Sequence, residues 1–122
     1  MVLKLYGYDQ STCTKRVAAA LHEKNVHFEF IGVNLQTGEH KSPAFLANQP
    51  FGQIPYIDDD GFILYESRAI VRYIDAKYPN QGTKLVPDDL KARALVEQGV
   101  SVEGANFDPH ASKAVAEIIF KP

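Results

Sequence analysis

The sequence has a single cysteine, no tryptophan and no long apolar run, and these absences narrow the class of protein. Because Cys13 is the only cysteine among 122 residues, no internal disulfide can form, which disfavours a secreted scaffold and favours a reducing compartment. No stretch approaches the roughly 20 apolar residues of a membrane span, and the first residues are too polar for a signal sequence. We therefore predict a cytoplasmic protein without a membrane partner.

The sequence also lacks an excess of charge of either sign. The net charge is −2 with 23% charged residues, so neither a nucleic-acid partner nor an anionic surface is indicated. His22, His27 and His110 lack ligand spacing with cysteines or carboxylates, so we predict no metal site. The chain length suits one domain, or one domain with a fragment of a second.

The residue pattern predicts both strands and helices over the first eighty residues. Strands are predicted at 2–6, 27–33, 56–58 and 62–65, and helices at 12–24, 43–48 and 68–78. This order, βαβ-α-ββα, is a thioredoxin-like α/β layout. We assign residues 1–80 to that domain, 81–87 to a polar linker, and 88–122 to the first helices of an incomplete all-α domain.

The helical segment after the linker contains residues that interrupt helices. Gly99, Gly104 and Pro109 predict a kink in it, or an end and a restart with Asp108 as the cap. The last residues, 114–120, are strongly apolar and would normally pack on partner helices. We therefore expect a truncated chain, a processed fragment or an intermolecular arrangement.

The segment from Pro50 to Arg68 carries the most specific signal. Ile54-Pro55 is a candidate cis peptide bond, which would leave the Ile54 backbone unpaired for an extended ligand to join like a strand. Ser67 is predicted as the N-cap of the next helix, whose first N–H groups would hold a carboxylate while Glu66 takes an amine. An amino-acid zwitterion satisfies both ends of this arrangement.

Four motifs in this order closely resemble glutathione transferases of the phi class. They are Tyr6-Gly7 with Ser11-Thr12-Cys13-Thr14-Lys15-Arg16-Val17, then Gly38-Glu39-His40-Lys41-Ser42-Pro43, Pro50-Phe51-Gly52-Gln53-Ile54-Pro55, and Glu66-Ser67-Arg68-Ala69-Ile70. The resemblance covers essentially the whole chain. It implies an enzyme that conjugates reduced glutathione, its co-substrate, to small hydrophobic electrophiles, and a homodimer or a contact with the missing C-terminal part.

The resemblance also implies a role for individual residues. Ser11 would be catalytic, donating a hydrogen bond that stabilises the glutathione thiolate. The glutathione-binding residues would be His40 and Lys41 for the glycine carboxylate, Gln53, Ile54 and Pro55 for the peptide backbone, and Glu66 and Ser67 for the γ-glutamyl end. For the electrophile pocket, the candidates are Gln10, Thr12, Phe107 and Ile118.

Three other functions remain open from the sequence, one of which is a structural interaction protein that borrows the fold and has no affinity for glutathione. A glutathione- or ligand-binding module without turnover would share every contact with glutathione. A thiol-disulfide oxidoreductase would use Cys13, whose rival interpretation is a small apolar residue packed inside the protein. A serine hydrolase is disfavoured, because no Gly-x-Ser-x-Gly sequence surrounds Ser11.

Overall fold

The structure, a computed structural model, describes residues 2–120, without the side chain of Phe120. The chain forms two compact units, Met1–Leu85 and Val86–Pro122. The first unit contains the strands β1 (Leu3–Gly7), β2 (Phe28–Gly32), β3 (Tyr56–Asp59) and β4 (Phe62–Tyr65), and the helices α1 (Thr12–Glu23), α2 (Pro43–Leu46) and α3 (Ser67–Lys77). A single 3-10 turn, Glu39–Lys41, precedes α2.

The four strands form one mixed sheet in the order β2-β1-β3-β4. β1 pairs parallel with β2 and antiparallel with β3, so that Leu5 lies opposite Phe30 on one side and Ile57 on the other. β3 and β4 form an antiparallel hairpin across Asp60 and Gly61, as the sequence predicts. The predicted thioredoxin-like order is therefore confirmed.

The side chains of β1, β3 and β4 alternate between two apolar cores, as the period of two requires. One core lies between the sheet and the helices α1 and α3, and consists of Leu3, Leu5, Val17, Leu21, Val26, Ile57, Ile70 and Ile74. The second core contains Val33, Phe45 and Tyr56, with Tyr6 stacked on Tyr56 at 4.5 Å between ring centroids. The sheet is thus covered by helices on both faces, and the ends of its strands are left to form a site.

Two polar contacts hold α1 and α3 side by side. Arg16 Nη1 donates to Ser67 Oγ at 2.8 Å, and Lys24 Nζ lies 3.0 Å from Asp75 Oδ1. The partners are 51 residues apart in the chain in both contacts. From the first contact to the second, each helix advances by about 12 Å along its axis, in the same direction. The two helices therefore run parallel and begin at the same end.

The Lys24–Asp75 ion pair is buried and also holds the segment that follows α3. The side chain of Lys24 is 0% exposed and that of Asp75 is 9% exposed. Asp75 Oδ1 additionally accepts a hydrogen bond from the backbone N–H of Leu85 at 2.9 Å. Nearby, Thr83 N donates to the Glu23 carbonyl at 2.7 Å. Residues 83 and 85 of the predicted linker are therefore hydrogen-bonded to the first unit.

A second charged cluster joins the end of β3 to the end of α3. The buried Asp59 carboxylate accepts hydrogen bonds from the Tyr73 hydroxyl and from Lys77 Nζ. Burial alone would raise the pKa of Asp59, but the hydrogen bonds from Lys77 and Tyr73 outweigh burial and lower it. The same hydrogen bond raises the pKa of Lys77. This cluster therefore makes its stability contribution with Asp59 ionised.

The second unit is helical. It contains α4 (Leu90–Val102), a π-helical turn (Glu103–Phe107), α5 (Asp108–Val115) and a second π-helical turn (Ala116–Phe120). The N-cap of α4 is Asp89, whose side chain accepts from Ala92 N. Within residues 2–120 no helix is long and apolar enough to cross a membrane.

The prediction of a cap at Asp108 is wrong, because Phe107 takes the N-cap position of α5. α4 continues through Gly99, and the chain passes Gly104 in the first π-helical turn before Pro109 enters the first turn of α5, where its missing N–H is tolerated. The strongly apolar face expected near the end of the chain includes Ile118 and Ile119, both exposed in this unit, whereas the side chain of Phe120 lies outside the described residues.

Candidate functional site

A cavity of about 290 Å³ opens in the first unit, beside the starts of α1 and α3. Its wall is formed by Cys13, Gln49, Gln53, Ile54, Pro55, Glu66, Ser67 and Arg68. Five of the residues predicted from the sequence to bind glutathione, from 53–55 and 66–67, therefore meet at one cavity. Among the described residues, the wall does not include the other predicted residues Ser11, His40 and Lys41.

Ser11 lies at the start of α1, two residues before Cys13. It is the N-cap of this helix, and its Oγ accepts a hydrogen bond from Thr14 N at 3.2 Å. A hydroxyl that accepts this bond still keeps its own proton. Capping and hydrogen-bond donation by Ser11 are therefore compatible, and the second requires only an acceptor in front of the helix.

The loop before β3 supplies a backbone edge to the cavity. The Ile54–Pro55 peptide bond is cis, which confirms the sequence prediction. Within residues 2–120, neither the amide nor the carbonyl of Ile54 has a hydrogen-bond partner. Both groups are thus available to an extended ligand, which is the pairing mode of an added strand.

Gln49 holds this loop in place from inside the protein. The residue is 1% exposed, and its Oε1 accepts a hydrogen bond from Phe51 N at 2.7 Å. The Gln49 carbonyl accepts a second hydrogen bond, from Gly52 N at 3.0 Å. Both bonds tie the first half of the loop to the end of the α2 segment, so the half that carries Gln53 and Ile54 starts from a defined position.

Glu66 has an unusual backbone at the point where β4 turns into α3. Its φ and ψ angles are 77° and 106°, a combination that residues other than glycine rarely adopt. Such a conformation destabilises a protein by about 1–3 kcal/mol and is often found at functional sites. The Glu66 side chain is exposed at the cavity wall, where its carboxylate can meet a cation.

The predicted N-cap role of Ser67 is wrong. Glu66 occupies the N-cap position of α3, and in the described part of the chain its side chain makes no capping hydrogen bond. Ser67 is instead the first helical residue, and its hydroxyl oxygen accepts from Arg16. The first N–H groups of α3 are therefore not blocked by a side-chain cap, and they remain suited to an anion.

His40 and Lys41 lie in the 3-10 turn, which contacts the loop before the cis bond. Lys41 Nζ donates to the Phe51 carbonyl at 3.3 Å, and its side chain passes over Gly52. A Cβ at Gly52, where φ is +62°, would lie 2.8 Å from Lys41 Cδ and 2.9 Å from the His40 carbonyl. His40 Nδ1 is buried and has no hydrogen-bond partner in the part of the chain described.

The four residues predicted for an electrophile pocket belong to different units. Gln10 and Thr12 are exposed around the start of α1 in the first unit. Phe107 and Ile118 lie in the two π-helical turns of the second unit and are 63% and 75% exposed. This pocket stays a prediction. For metals, no cluster of three or more candidate ligands occurs among residues 2–120.

Three residues of the site did not stand out in the sequence. Gln49 and Arg68 line the cavity, and Arg16 lies behind it, with Nη1 3.6 Å from Cys13 Sγ and 2.8 Å from Ser67 Oγ. Arg16 and Arg68 occur within the quoted motifs, but their residue types alone suggest exposed helix positions. Only the parallel packing of α1 and α3 reveals the contact of Arg16.

Comparison with known proteins agrees with this geometry. The family model described as "Glutathione S-transferase, N-terminal domain" matches residues 1–76. Glutathione S-transferase F6 of Arabidopsis thaliana is 43% identical over 98% of this chain and 57% of its own length. The crystal structure of glutathione transferase F7 from Populus trichocarpa matches 99% of this chain and 57% of that one with a TM-score of 0.95, and the two sequences are 46% identical.

A further solved structure carries a ligand. It is glutathione S-transferase-I bound with lactoylglutathione, 32% identical to this chain, with a TM-score of 0.87 over 98% of this chain and 56% of that one.

The chain belongs to the glutathione S-transferase family, and its relatives include plant glutathione transferases of the phi class. It spans 57% of the length of the Arabidopsis relative.

Proposed function

We propose that this chain is the glutathione-binding part of a transferase that joins the sulfur of reduced glutathione to a hydrophobic electrophile. The observation that carries the proposal is the meeting of residues 53–55 and 66–67 at one cavity beside the start of α1. An open backbone edge, a carboxylate and a helix N-terminus together suit a peptide with one amine and two carboxylates. The ligand named for the related transferase-I, lactoylglutathione, supports the same substrate class.

In this proposal each end of glutathione meets a complementary group. Glu66 takes the γ-glutamyl amine, while Ser67 and the first N–H groups of α3 take the neighbouring carboxylate. The Ile54 backbone, with Gln53 beside it, pairs with the middle of the peptide. His40 and Lys41 take the glycine carboxylate, which Lys41 reaches from an exposed position above Gly52.

Ser11 acts on the sulfur. A free thiol has a pKa of about 8.5, so little thiolate is present at neutral pH, and lowering that pKa by one unit requires about 1.4 kcal/mol. The Ser11 proton, left free while Oγ accepts from Thr14 N, donates to the thiolate, and the positive end of α1 adds to this effect. The thiol proton passes to water, and the sulfur forms a bond to the electrophilic carbon as the leaving group departs.

Two variants test the binding site. Lys41→Ala and Glu66→Ala should each weaken binding of reduced glutathione, measured by calorimetry, by about tenfold or more, because each removes a charged hydrogen bond. Lys91→Ala, which removes an exposed charge from the second unit, is the matched control and should leave the affinity unchanged. Unchanged affinity in both site variants would contradict the assigned glutathione site.

A third variant separates catalysis from binding. Ser11→Ala should lower the conjugation rate with an activated aryl chloride more than it lowers glutathione affinity, since the hydroxyl acts on the sulfur. The thiolate absorbance of bound glutathione should then titrate at higher pH than in the wild type. Ser11→Thr keeps both the cap and the hydroxyl and should retain the rate. An unshifted titration with a full rate in Ser11→Ala would point to Thr12 or Cys13 instead.

A second candidate function, thiol-disulfide exchange, is favoured by the place of Cys13 in the cavity wall. The Cys13 thiolate would attack a mixed disulfide of glutathione, forming a disulfide with glutathione and releasing the substrate thiol. A second glutathione thiolate would then regenerate Cys13 and leave as glutathione disulfide. Deglutathionylation that is abolished by Cys13→Ser would support this reaction, and an unaffected rate would exclude it.

The proposal also includes a partner for the second unit. Leu90, Leu95 and Ile118 are 79%, 67% and 75% exposed within it, and leaving so much apolar surface in water is unfavourable at about 25 cal/mol per Å². A second copy of the chain, or further helices of a longer protein, would cover these residues. Light scattering tests this, because a stable, non-aggregating monomer at micromolar concentration without a companion fragment would contradict it.

A further inference from the structure

We propose that Arg16 is a positioning residue of the glutathione site, which aims the proton of the Ser67 hydroxyl into the cavity and so selects a carboxylate there. The assignment rests on the proposed function and deepens it. Arg16 lies behind the cavity wall rather than in it, and it acts through a residue that is in the wall.

The position of Arg16 is defined by a contact with Ser67 and a contact with Cys13. Its Nη1 donates to Ser67 Oγ at 2.8 Å, across from α1 to α3, and lies 3.6 Å from Cys13 Sγ on its own helix. Cys13 and Ser67 both line the cavity. The guanidinium therefore lies between the two helices, directly behind the part of the wall that they form.

The chemistry of arginine decides which way the Ser67 hydroxyl points. A guanidinium carries only donors and stays charged, so Ser67 Oγ must be the acceptor in this contact. Ser67 is 7% exposed, and within residues 2–120 no group accepts its proton. A buried hydroxyl that lacks an acceptor is costly unless a ligand supplies one. The cavity is where such a ligand can lie.

This orientation makes the wall selective. With Ser67 aimed as a donor, and the first N–H groups of α3 also donors, this end of the cavity offers hydrogen-bond donors to a ligand. A carboxylate, which only accepts, satisfies them, whereas a carboxamide also presents two donors. Without Arg16 the Ser67 hydroxyl is free to rotate and accept, so the preference for a carboxylate should fall.

Calorimetry on the full chain with two peptides tests the assignment. One is reduced glutathione, and the other is its analogue in which the γ-glutamyl α-carboxylate is replaced by a carboxamide. The measured quantity is the ratio of their dissociation constants. We expect this ratio to fall by about tenfold in Arg16→Met and by a similar factor in Ser67→Ala. The double variant should lose little more, because both changes remove one coupled interaction.

Matched variants separate this role from a general effect of charge or folding. Lys15→Met removes a positive charge from the neighbouring exposed position of α1 and should leave the ratio unchanged. Arg16→Gln provides a second test in case Arg16→Met does not fold. Its amide oxygen can accept the Ser67 proton and turn it away from the cavity, so the ratio should fall here too.

Three outcomes would overturn the assignment, and they differ in what they leave standing. A wild-type ratio in Arg16→Met or Arg16→Gln, with glutathione still bound, would refute the role of Arg16 and leave the proposed function intact. Equal weakening of both peptides would show a merely structural role and would also refute it. Failure of the wild type to bind either peptide would contradict the glutathione site, and the role of Arg16 with it.

Discussion

Replacement of Asp75 should strongly destabilise the first unit, because this side chain neutralises a buried lysine and also holds a backbone N–H. Lys24 Nζ is buried at the end of α1, 3.0 Å from Asp75 Oδ1, and that oxygen also accepts from Leu85 N at 2.9 Å. In Asp75→Ala, the side chain of Lys24, which is 0% exposed, loses its carboxylate partner, and the Leu85 N–H loses its acceptor.

The expected magnitudes follow from these two losses. Removing one partner of a buried ion pair destabilises a protein by about 3–5 kcal/mol, because the remaining charge is not compensated. Loss of the hydrogen bond from the partly buried Leu85 N–H adds about 0.5–1.5 kcal/mol. A total of about 3.5–6.5 kcal/mol is comparable to the lower part of the range of stability of a typical domain, which is about 5–15 kcal/mol. Asp75→Ala should therefore be close to unfolded at room temperature.

Two further variants separate the charge from the hydrogen bond. Asp75→Asn keeps an oxygen for Leu85 N but removes the negative charge, so it should lose only the ion-pair part, about 3–5 kcal/mol. The double variant Lys24→Met/Asp75→Asn removes both charges and should recover much of that loss. The assay is urea unfolding followed by circular dichroism, with the midpoint compared at constant slope.

The comparison of the single and double variants is decisive. If Asp75→Asn and the double variant unfold at the same urea concentration, the Lys24 charge is not the source of the loss. If the free energy of unfolding of Asp75→Ala lies within about 1 kcal/mol of the wild-type value, the Lys24 ammonium group is hydrated in the variant. Its burial is then not maintained in solution.

Two more variants test other parts of the first unit. As the pH falls below the ordinary carboxyl pKa of 3.8, the wild type should lose stability more steeply than Asp59→Asn, because Asp59 has a lowered pKa and stabilises the fold only while ionised. Parallel pH profiles from neutral pH to about pH 3 would contradict this. Gly38→Ala should destabilise by about 1–2 kcal/mol, since φ is positive there, and Gly52→Ala should destabilise by more, because φ is positive there too and the new Cβ would lie 2.9 Å from the His40 carbonyl. Only Gly52→Ala should also weaken glutathione binding, because a Cβ there meets Lys41 and His40, whereas in the described residues nothing lies within 4 Å of a Cβ at Gly38. Equal affinities in the two variants would contradict the role given to this loop.

Local signals in the sequence are sufficient for most of the secondary structure. Ser11 and Ser42 cap the helices predicted after them, because each serine precedes a helix whose first N–H groups it can reach within three residues. The β3–β4 hairpin and the cis bond at Ile54-Pro55 are also confirmed. In each case the interactions that determine the conformation lie within a few residues of the pattern.

The sequence predictions fail, or are missing, where the contacts of a residue depend on another residue that is far away in the chain. Ser67 resembles a cap as closely as Ser11 does, yet its oxygen accepts from Arg16, 51 residues earlier in the chain. Burial of Lys24 likewise depends on Asp75, which no local pattern connects with it. The cavity was predicted in outline because its motifs resemble those of a family, whereas Gln49 and Arg16 required the packed structure.

The equal spacing of the two contacts between α1 and α3 limits where the chain tolerates insertions and deletions. Arg16 and Lys24 are as far apart in sequence as Ser67 and Asp75. One residue inserted between Arg16 and Lys24, or between Ser67 and Asp75, would rotate the second of these side chains by about 100° around its helix axis and move it by about 1.5 Å. One of the two contacts would then be lost. Changes of length in the chain between the two helices leave both contacts possible. Variation in length among functional relatives should therefore fall between residues 24 and 67, and not within either helix.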